Sequence, residues 1–481
     1  MTGKVGHFIC EIRDLNERGQ GVGVVVQDGS ASPPRQGMVC FVDGALPGEK
    51  VAASLIEAKG HYLVLDLDRI IEASPDRIES DCDYFPLCGS CRLRHLSYAA
   101  ELNFKEQGVR DQLSHKGLLE SGSPVFKSIM SMEHPFHYRG KSIFPIAVSD
   151  SGENDLQIGQ YSYGSHDLID LHHCEIQSEV ALILVNRVRE LASRDRVTAY
   201  MEERQEGTLR HLLVRTAFST RQVMLVCVVN DRKADPAILS WIPDLRASLH
   251  PSEFTLQSVW INDMEAMGNR ILSSDYRHLD GSETIEEVIN QVAYRISPDS
   301  FFQVNPRQAA VLFEEVIRAA RLSPGERVLD LYSGVGALSL QLASAMKDAT
   351  PPLEVTGVDR VTQAVMDARI NAKINGLQNL TFIEADATAW LEAYEESPHN
   401  RPFDVIVVDP PRKGLEPQAL DVIRQSGTHR IVYVSCNPAT LARDLALLTD
   451  GYTVERVQPL DLFPRTTHVE TVVLMSRVES K

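Results

Sequence analysis

No run of roughly 18 or more apolar residues occurs in the 481-residue chain, so no membrane-spanning helix is expected. The N-terminus lacks the charged, apolar, small-residue succession of a secretory leader, and the expectation is a cytoplasmic protein. Basic residues are in deficit: 48 Lys and Arg stand against 66 Asp and Glu, for a net charge of −18. Nucleic-acid binders usually carry the opposite surplus. RNA or DNA binding would therefore need a basic groove on an acidic body. The eight cysteines are unevenly spaced, which argues against a secreted disulfide scaffold and leaves metal, catalytic and core uses. The length allows roughly two to four domains.

Residues 1–75 alternate apolar and polar positions and are broken by glycines, as in GQGVGVVVQDG and MVCFVDGALPGEKV. Short strands with turn signals at this spacing predict a small β-barrel, a fold that often holds single-stranded nucleic acid. The segment Asp28 to Gln36 reads as a loop. The order of these motifs resembles a TRAM domain, an RNA-binding barrel. Its charge departs from that pattern, with 7 Lys and Arg against 10 Asp and Glu, so a purely structural barrel stays open.

Residues 76–290 read as a central mixed α+β domain. It opens with Cys82, Cys88 and Cys91 in the spacing C-x5-C-x2-C. Close thiols in a reducing compartment are more often metal ligands than disulfides. A fourth ligand is needed, and Cys174, next to His172 and His173, is the candidate. One C-x2-C pair with a distant fourth thiol fits an iron–sulfur cluster better than zinc; zinc, or no metal, stays open. Cys10, Cys40 and Cys227 are expected in the core. Beyond Cys91 a spacing of three and four predicts a helix over about 93–120, packed on the catalytic domain. Arg92, Arg94, Lys105 and Arg110 would give it a basic face. Arg139, Lys141 and Arg215 on strands are candidate phosphate contacts, against the plainer reading of ordinary surface charge. RHLLVRTAF and RQVMLVCVV look like an antiparallel pair.

Residues 291–481 alternate strands and helices, which predicts an α/β, doubly wound, Rossmann-like domain. The first strand runs into DLYSGVGALSL, where Gly334 and Gly336 would let a ligand approach the backbone at a helix start. Asp359 ends the second strand where an acid meets ribose hydroxyls, and Asp386 follows the third. The ordered series Asp330, Asp359, Asp386 resembles S-adenosylmethionine-dependent methyltransferases, in which Asp386 would meet the adenine amino group. The fourth strand ends in Asp409-Pro410-Pro411-Arg412. Arg412 stands where amino-group methyltransferases carry an aromatic residue, which argues against methylation of an exocyclic nitrogen. The stretch IVYVSCNPATLARD puts Cys436 between a buried strand and a helix start at Asn437-Pro438. A helix N-terminus is expected to lower its thiol pKa.

SFFQVNP, DLYSGVG, VVDPPRKG, VSCNPATLARD and FPRTTHVE together resemble the RNA uracil-5-methyltransferase family. The barrel and the cysteine cluster resemble its large-subunit (23S) rRNA branch; a tRNA substrate with the same chemistry is the alternative, and a decayed, non-catalytic RNA-binding factor a further one. The resemblance implies a monomeric enzyme that acts on RNA, not on DNA or membranes, with S-adenosylmethionine and a [4Fe–4S] cluster as cofactors. It implies that Cys436 adds to uracil C6 and that Glu470 removes the C5 proton, with His468 as competitor. By the same resemblance Gln303, Tyr332, Gly334, Gly336, Asp359, Asp386 and Asp409 would bind the cofactor, Asp409 also meeting the uracil edge.

Overall fold

The computed structural model describes residues 7–29, 35–120, 122–149, 152–264, 270–397 and 401–478. Residues 30–34 of the loop expected between Asp28 and Gln36 lie outside the described residues. The chain divides into two compact units: residues 1–108 with 463–468, and residues 109–462 with 469–481.

In the first unit, β1 (His7–Leu15), β2 (Gly21–Asp28), β3 (Val39–Asp43), β4 (Lys50–Ala58) and β5 (Tyr62–Glu72) close a barrel in the order β1-β2-β3-β5-β4. Period-two alternation turns Phe8, Cys10, Cys40, Val42, Val51, Leu63 and Leu65 inward, all fully buried. Closure removes the free sheet edges that would otherwise pair with other chains. Helix α1 (Tyr98–His115) is shorter than the predicted span. It begins after Ser97, whose hydroxyl accepts from Ala100 N, and stops before Gly117, whose φ is 69°. The basic face expected around it is largely absent. Arg94 and Lys105 are buried and pair with Asp81 and Glu101, and Arg92 pairs with Asp43.

The second unit holds two large sheets. The first, in the order β12-β11-β10-β9-β6-β7-β8, comprises β6 (Lys141–Ser149), β7 (Gly152–Tyr161), β8 (Leu168–Asp170), β9 (Leu209–Ala217), β10 (Gln222–Val229), β11 (Thr255–Asp263) and β12 (Tyr276–Gly281). Helices α2 (Glu179–Asp195) and α3 (Asp235–Ser248) pack into the same apolar cluster as one face of this sheet. β9 and β10 pair antiparallel, as expected. A hairpin of β13 (Ile285–Ile289) and β14 (Val292–Ile296) spans the sequence boundary drawn at 290/291. Its side chains share one core with Leu213 and Met224 of the first sheet and Val328 and Val405 of the second.

Helix α4 (Pro306–Ala320) leads into the second sheet. That sheet contains β15 (Arg327–Leu331), β16 (Glu354–Asp359), β17 (Leu380–Glu384), β18 (Val405–Val408), β19 (Arg430–Ser435), β20 (Tyr452–Leu460) and β21 (Glu470–Arg477), in the order β17-β16-β15-β18-β19-β21-β20. Helices α5 (Ala337–Ala345), α6 (Thr362–Ile374), α7 (Ala387–Glu395), α8 (Pro417–Gln425) and α9 (Pro438–Leu448) alternate with the strands. β15 to β19 are all parallel, and β21 is antiparallel to both β19 and β20. Val405–Val408 and Ile431–Val434 are buried throughout, which is why they read as continuous apolar runs. The strand order reverses between β15 and β18, and such a switch point opens a crevice at the carboxyl ends of the strands.

Candidate active site

Cys436 follows β19 directly. Asn437 then caps α9, its side chain accepting from Ala439 N at 3.1 Å, with Pro438 at the first helical position. Antiparallel pairing brings the start of β21 to the same end of the sheet: Ser435 faces Thr471, so Glu470 is the next residue beside Cys436. Glu470 is buried at 7% exposure at the start of β21. Burial, reinforced by Asp409, raises its pKa well above the usual carboxylate range, while Arg412 opposes. The predicted lowering of the Cys436 pKa is not found. Burial, then the charges of Glu470 and Asp409, push the thiol up to about 11 against the opposing Arg412. The helix end is outweighed by desolvation and by two facing carboxyls.

Asp409 directly follows β18, and burial raises it to about 7. The loop after it is fastened to α9. Arg443 donates to Lys413 O at 2.9 Å, Leu415 N donates to Asp444 at 2.8 Å, and Asn437 Nδ2 donates to Arg412 O at 3.2 Å. One set of bonds therefore fixes the ends of both β18 and β19. Gln303 is held just as firmly. Gly140 N donates to Val304 O at 2.6 Å, and Asn305 caps α4 through Gln308 N at 3.1 Å while donating to Leu462 O at 2.9 Å.

A cleft of about 420 Å³, the open solvent at its mouth included, opens at the switch point. Of the residues expected at the cofactor, Gln303, Tyr332, Gly334 and Asp409 line it, and Gly336, Asp359 and Asp386 do not. Gly334, at φ 54°, has nothing within 4 Å of where a Cβ would sit, so a ligand can approach its backbone. Gly336 has a different reason: a Cβ there would meet the Phe382 ring at 2.5 Å, so it serves packing rather than ligand approach. Asp359 holds the loop, accepting from Gly334 N and Val361 N, both at 2.9 Å. Asp386 caps α7 through Thr388 N and Ala389 N. Asp330 also lines the cleft, raised to about 7 chiefly by burial although Ser339 donates to it. Among the described residues its Oδ1 and the Ser333 hydroxyl, both buried, have no hydrogen-bond partner. Two orphaned polar atoms and the carboxyls of Asp330 and Asp409, beside the apolar Phe302, Val335 and Leu338, suit an amphipathic, cationic ligand. Sequence reasoning missed Phe302, Ser333 and Leu338 in this wall and Phe301 at its rim. The SFFQVNP motif contained the two phenylalanines, but nothing in it distinguished lining from core.

Within the first unit, Cys88 and Cys91 are buried and Cys82 half-buried, on a loop closed by Cys88 N donating to Tyr84 O at 2.9 Å. Arg94, 1% exposed, lies beside two of these thiols: burial opposes its charge, but Cys91, Asp81 and Cys82 hold its pKa above the usual value. A buried guanidinium next to thiols fits a set of thiolates carrying negative charge. Among the described residues, however, no three His, Cys, Asp or Glu stand close enough together to hold a metal ion. Cys174 is half-buried in the second unit. His468 belongs to the first unit, where its ring meets Phe463 edge-on. Cys10, Cys40 and Cys227 are fully buried, as expected. No described helix is long and apolar enough to cross a membrane.

Residues 165–478 match the family model described as tRNA (Uracil-5-)-methyltransferase. An uncharacterized RNA methyltransferase of Bacillus cereus is 38% identical over 457 residues, covering 95% of each chain. One from Halalkalibacterium halodurans is 36% identical, covering 96% of this chain and 95% of its own. Among solved structures, the Pyrococcus abyssi tRNA (uracil-54, C5)-methyltransferase in complex with S-adenosyl-L-homocysteine superposes with a TM-score of 0.73. It is 26% identical, and the match covers 97% of this chain and 99% of that one.

Proposed function

Because the chain belongs to the RNA uracil-5-methyltransferase family, we propose that it methylates uridine C5 in large-subunit (23S) rRNA, with Cys436 as nucleophile and Glu470 as base. It is an RNA methyltransferase that uses S-adenosylmethionine. The observation that carries the mechanism is the pairing of Ser435 with Thr471, which brings the adjoining Cys436 and Glu470 to the same end of the sheet, where their charges interact. S-adenosylmethionine supplies the methyl group as an electrophilic sulfonium. Cys436 as thiolate forms a bond to uracil C6, and the C5–C6 double-bond electrons move into the enolate. That makes C5 nucleophilic and splits one hard step into easier ones. After methylation Glu470, as carboxylate, takes the proton from C5. The electron pair restores the double bond and expels the Cys436 thiolate. The raised affinity of Glu470 for protons suits it as a base. Gln303, Tyr332, Gly334 and Asp409 are the proposed cofactor contacts, with Asp409 also toward the uracil. Gly336, Asp359 and Asp386 support the site by shaping its loops. The target uridine must be single-stranded or turned out of its stack.

The rRNA choice rests on the barrel and the cysteine cluster. A tRNA substrate is the second reading, favoured by the Pyrococcus abyssi tRNA enzyme, which matches nearly the whole chain, barrel included. Tritium release from [5-³H]uridine in 23S rRNA, 16S rRNA and tRNA, assayed separately, decides between them. Release from 23S rRNA alone supports the first reading, and release from tRNA alone replaces it. Cys82, Cys88, Cys91 and Cys174 remain the proposed thiolates of a [4Fe–4S] cluster, supported by their spacing and by Arg94. Iron near four per chain, lost in Cys88→Ala, would support it; bound zinc would not. The enzyme is proposed to act as a cytoplasmic monomer.

A further inference from the structure

Cations on this acidic chain are commonly paired: Arg77 with Glu49, Arg277 with Asp235 and Asp263, Arg456 with Glu315. Lys141 and Arg215 are exceptions. They face each other directly on β6 and β9, and among the described residues neither has a carboxylate within 4.0 Å. Like charges opposite one another on neighbouring strands repel, and the cost grows when water is excluded. Arg215 is 2% exposed. It donates to Pro298 O at 3.1 Å and to Ser300 O, yet its buried Nε has no partner among the described residues. The half-buried Lys141 ammonium donates no hydrogen bond to the described residues. Burial and the neighbouring Arg215 draw its pKa down to about 8, against the opposing pull of Asp299. Both side chains line a narrow recess, its water-accessible volume only about 10 Å³, together with Thr216, Phe302 and Gln303. Phe302 and Gln303 also line the cofactor cleft, so they form a wall common to both.

We propose that the solvent-facing mouth of this recess is an oxyanion site for a backbone phosphate of the RNA strand entering the active site, with Lys141 as the contact and Arg215 as the fixed charge behind it. The proposal rests on the RNA reading above. An RNA phosphate, rather than the carboxylate of the cofactor, is favoured because Lys141 reaches solvent and the shared wall lies between this recess and the cleft. The site would also reconcile a net charge of −18 with a polyanionic substrate: it is a local, unneutralised cation pair beside Gln303. A phosphate there would make an ion pair with Lys141, backed by the buried charge of Arg215.

The test uses the full chain and two probes: a single-stranded, uridine-containing oligoribonucleotide, and S-adenosylhomocysteine. Affinity for each is measured in wild type, Lys141→Gln and Lys141→Arg across a salt series. One lost phosphate contact on a single strand should flatten the slope of log K against log salt by about 0.7. Lys141→Gln should therefore bind the oligonucleotide several-fold more weakly with that flatter slope, Lys141→Arg should restore both, and S-adenosylhomocysteine affinity should be unchanged. Loss of S-adenosylhomocysteine affinity with RNA binding intact would assign the recess to the cofactor and overturn the proposal. An unchanged slope for Lys141→Gln would overturn it as well. The wild-type slope reports the RNA reading itself, whereas the difference between slopes reports Lys141 alone.

Discussion

Cys436 rests as a thiol. With its pKa pushed to about 11 by burial and by Glu470 and Asp409, only a minute fraction is thiolate near neutrality. Charge must change around it before it can attack, and a bound sulfonium, or protonated neighbours, would favour that. Alkylation of the ligand-free protein by iodoacetamide should accordingly show a midpoint near pH 11. Asp409→Asn should move that midpoint down and Arg412→Ala should move it up, because the first removes a negative charge and the second a positive one. No movement in either variant would mean that these groups do not set the thiol. Cys436→Ala should lower methyl transfer by at least about a thousandfold, as loss of a nucleophile does elsewhere. Glu470→Gln should allow addition and methylation but stall proton removal. RNA would then accumulate as a covalent adduct visible by denaturing electrophoresis.

Among the elements, the loop between β15 and α5 separates ligand contact from packing. Gly334 and Gly336 both have positive φ, at 54° and 78°, but only Gly336 abuts a ring, that of Phe382. Gly336→Ala should destabilise the fold by about 2 kcal/mol, combining backbone strain and overpacking, measured by urea unfolding. Gly334→Ala should cost about 1 kcal/mol of stability and more in cofactor affinity, because its methyl points into open space at the cleft. The β–α alternation and the positions of the strand ends were legible in the sequence, because strands buried on both faces leave long Val and Ile runs. The roles of Gly336 and Arg94 were not. Gly336 is explained by Phe382, 46 residues later, and Arg94 by thiols and Asp81 across a folded loop; neither contact leaves a local pattern. The thiol shift was misjudged for the same reason. The helix start is local, whereas Glu470 and Asp409 reach Cys436 from other strands.

For the molecule as a whole, 66 acidic residues against 48 basic ones make proton binding a global matter. Asp330 and Asp409 have pKa values near 7 when folded, above the ordinary 3.8. The folded state therefore binds protons more tightly than the unfolded chain at these two sites. Their contribution to stability is complete below pH 4 and is lost as pH rises toward and through 7. Urea unfolding should show stability falling across that window, and Asp330→Asn should flatten the fall. S-adenosylmethionine, being cationic, should bind more tightly as these acids ionise, while uncharged-sulfur S-adenosylhomocysteine should respond less. The central claim is that Cys436 attacks uracil in RNA, and the most direct measurement is a covalent trap. Fluorine at C5 cannot leave as a proton, so RNA containing 5-fluorouridine should lock the methylated adduct. With S-adenosylmethionine present, wild type should give a covalent protein–RNA species that peptide mapping assigns to Cys436, and Cys436→Ala should give none. Cofactor binding without any adduct on 23S rRNA, 16S rRNA or tRNA, or an adduct that persists in Cys436→Ala, would contradict the account.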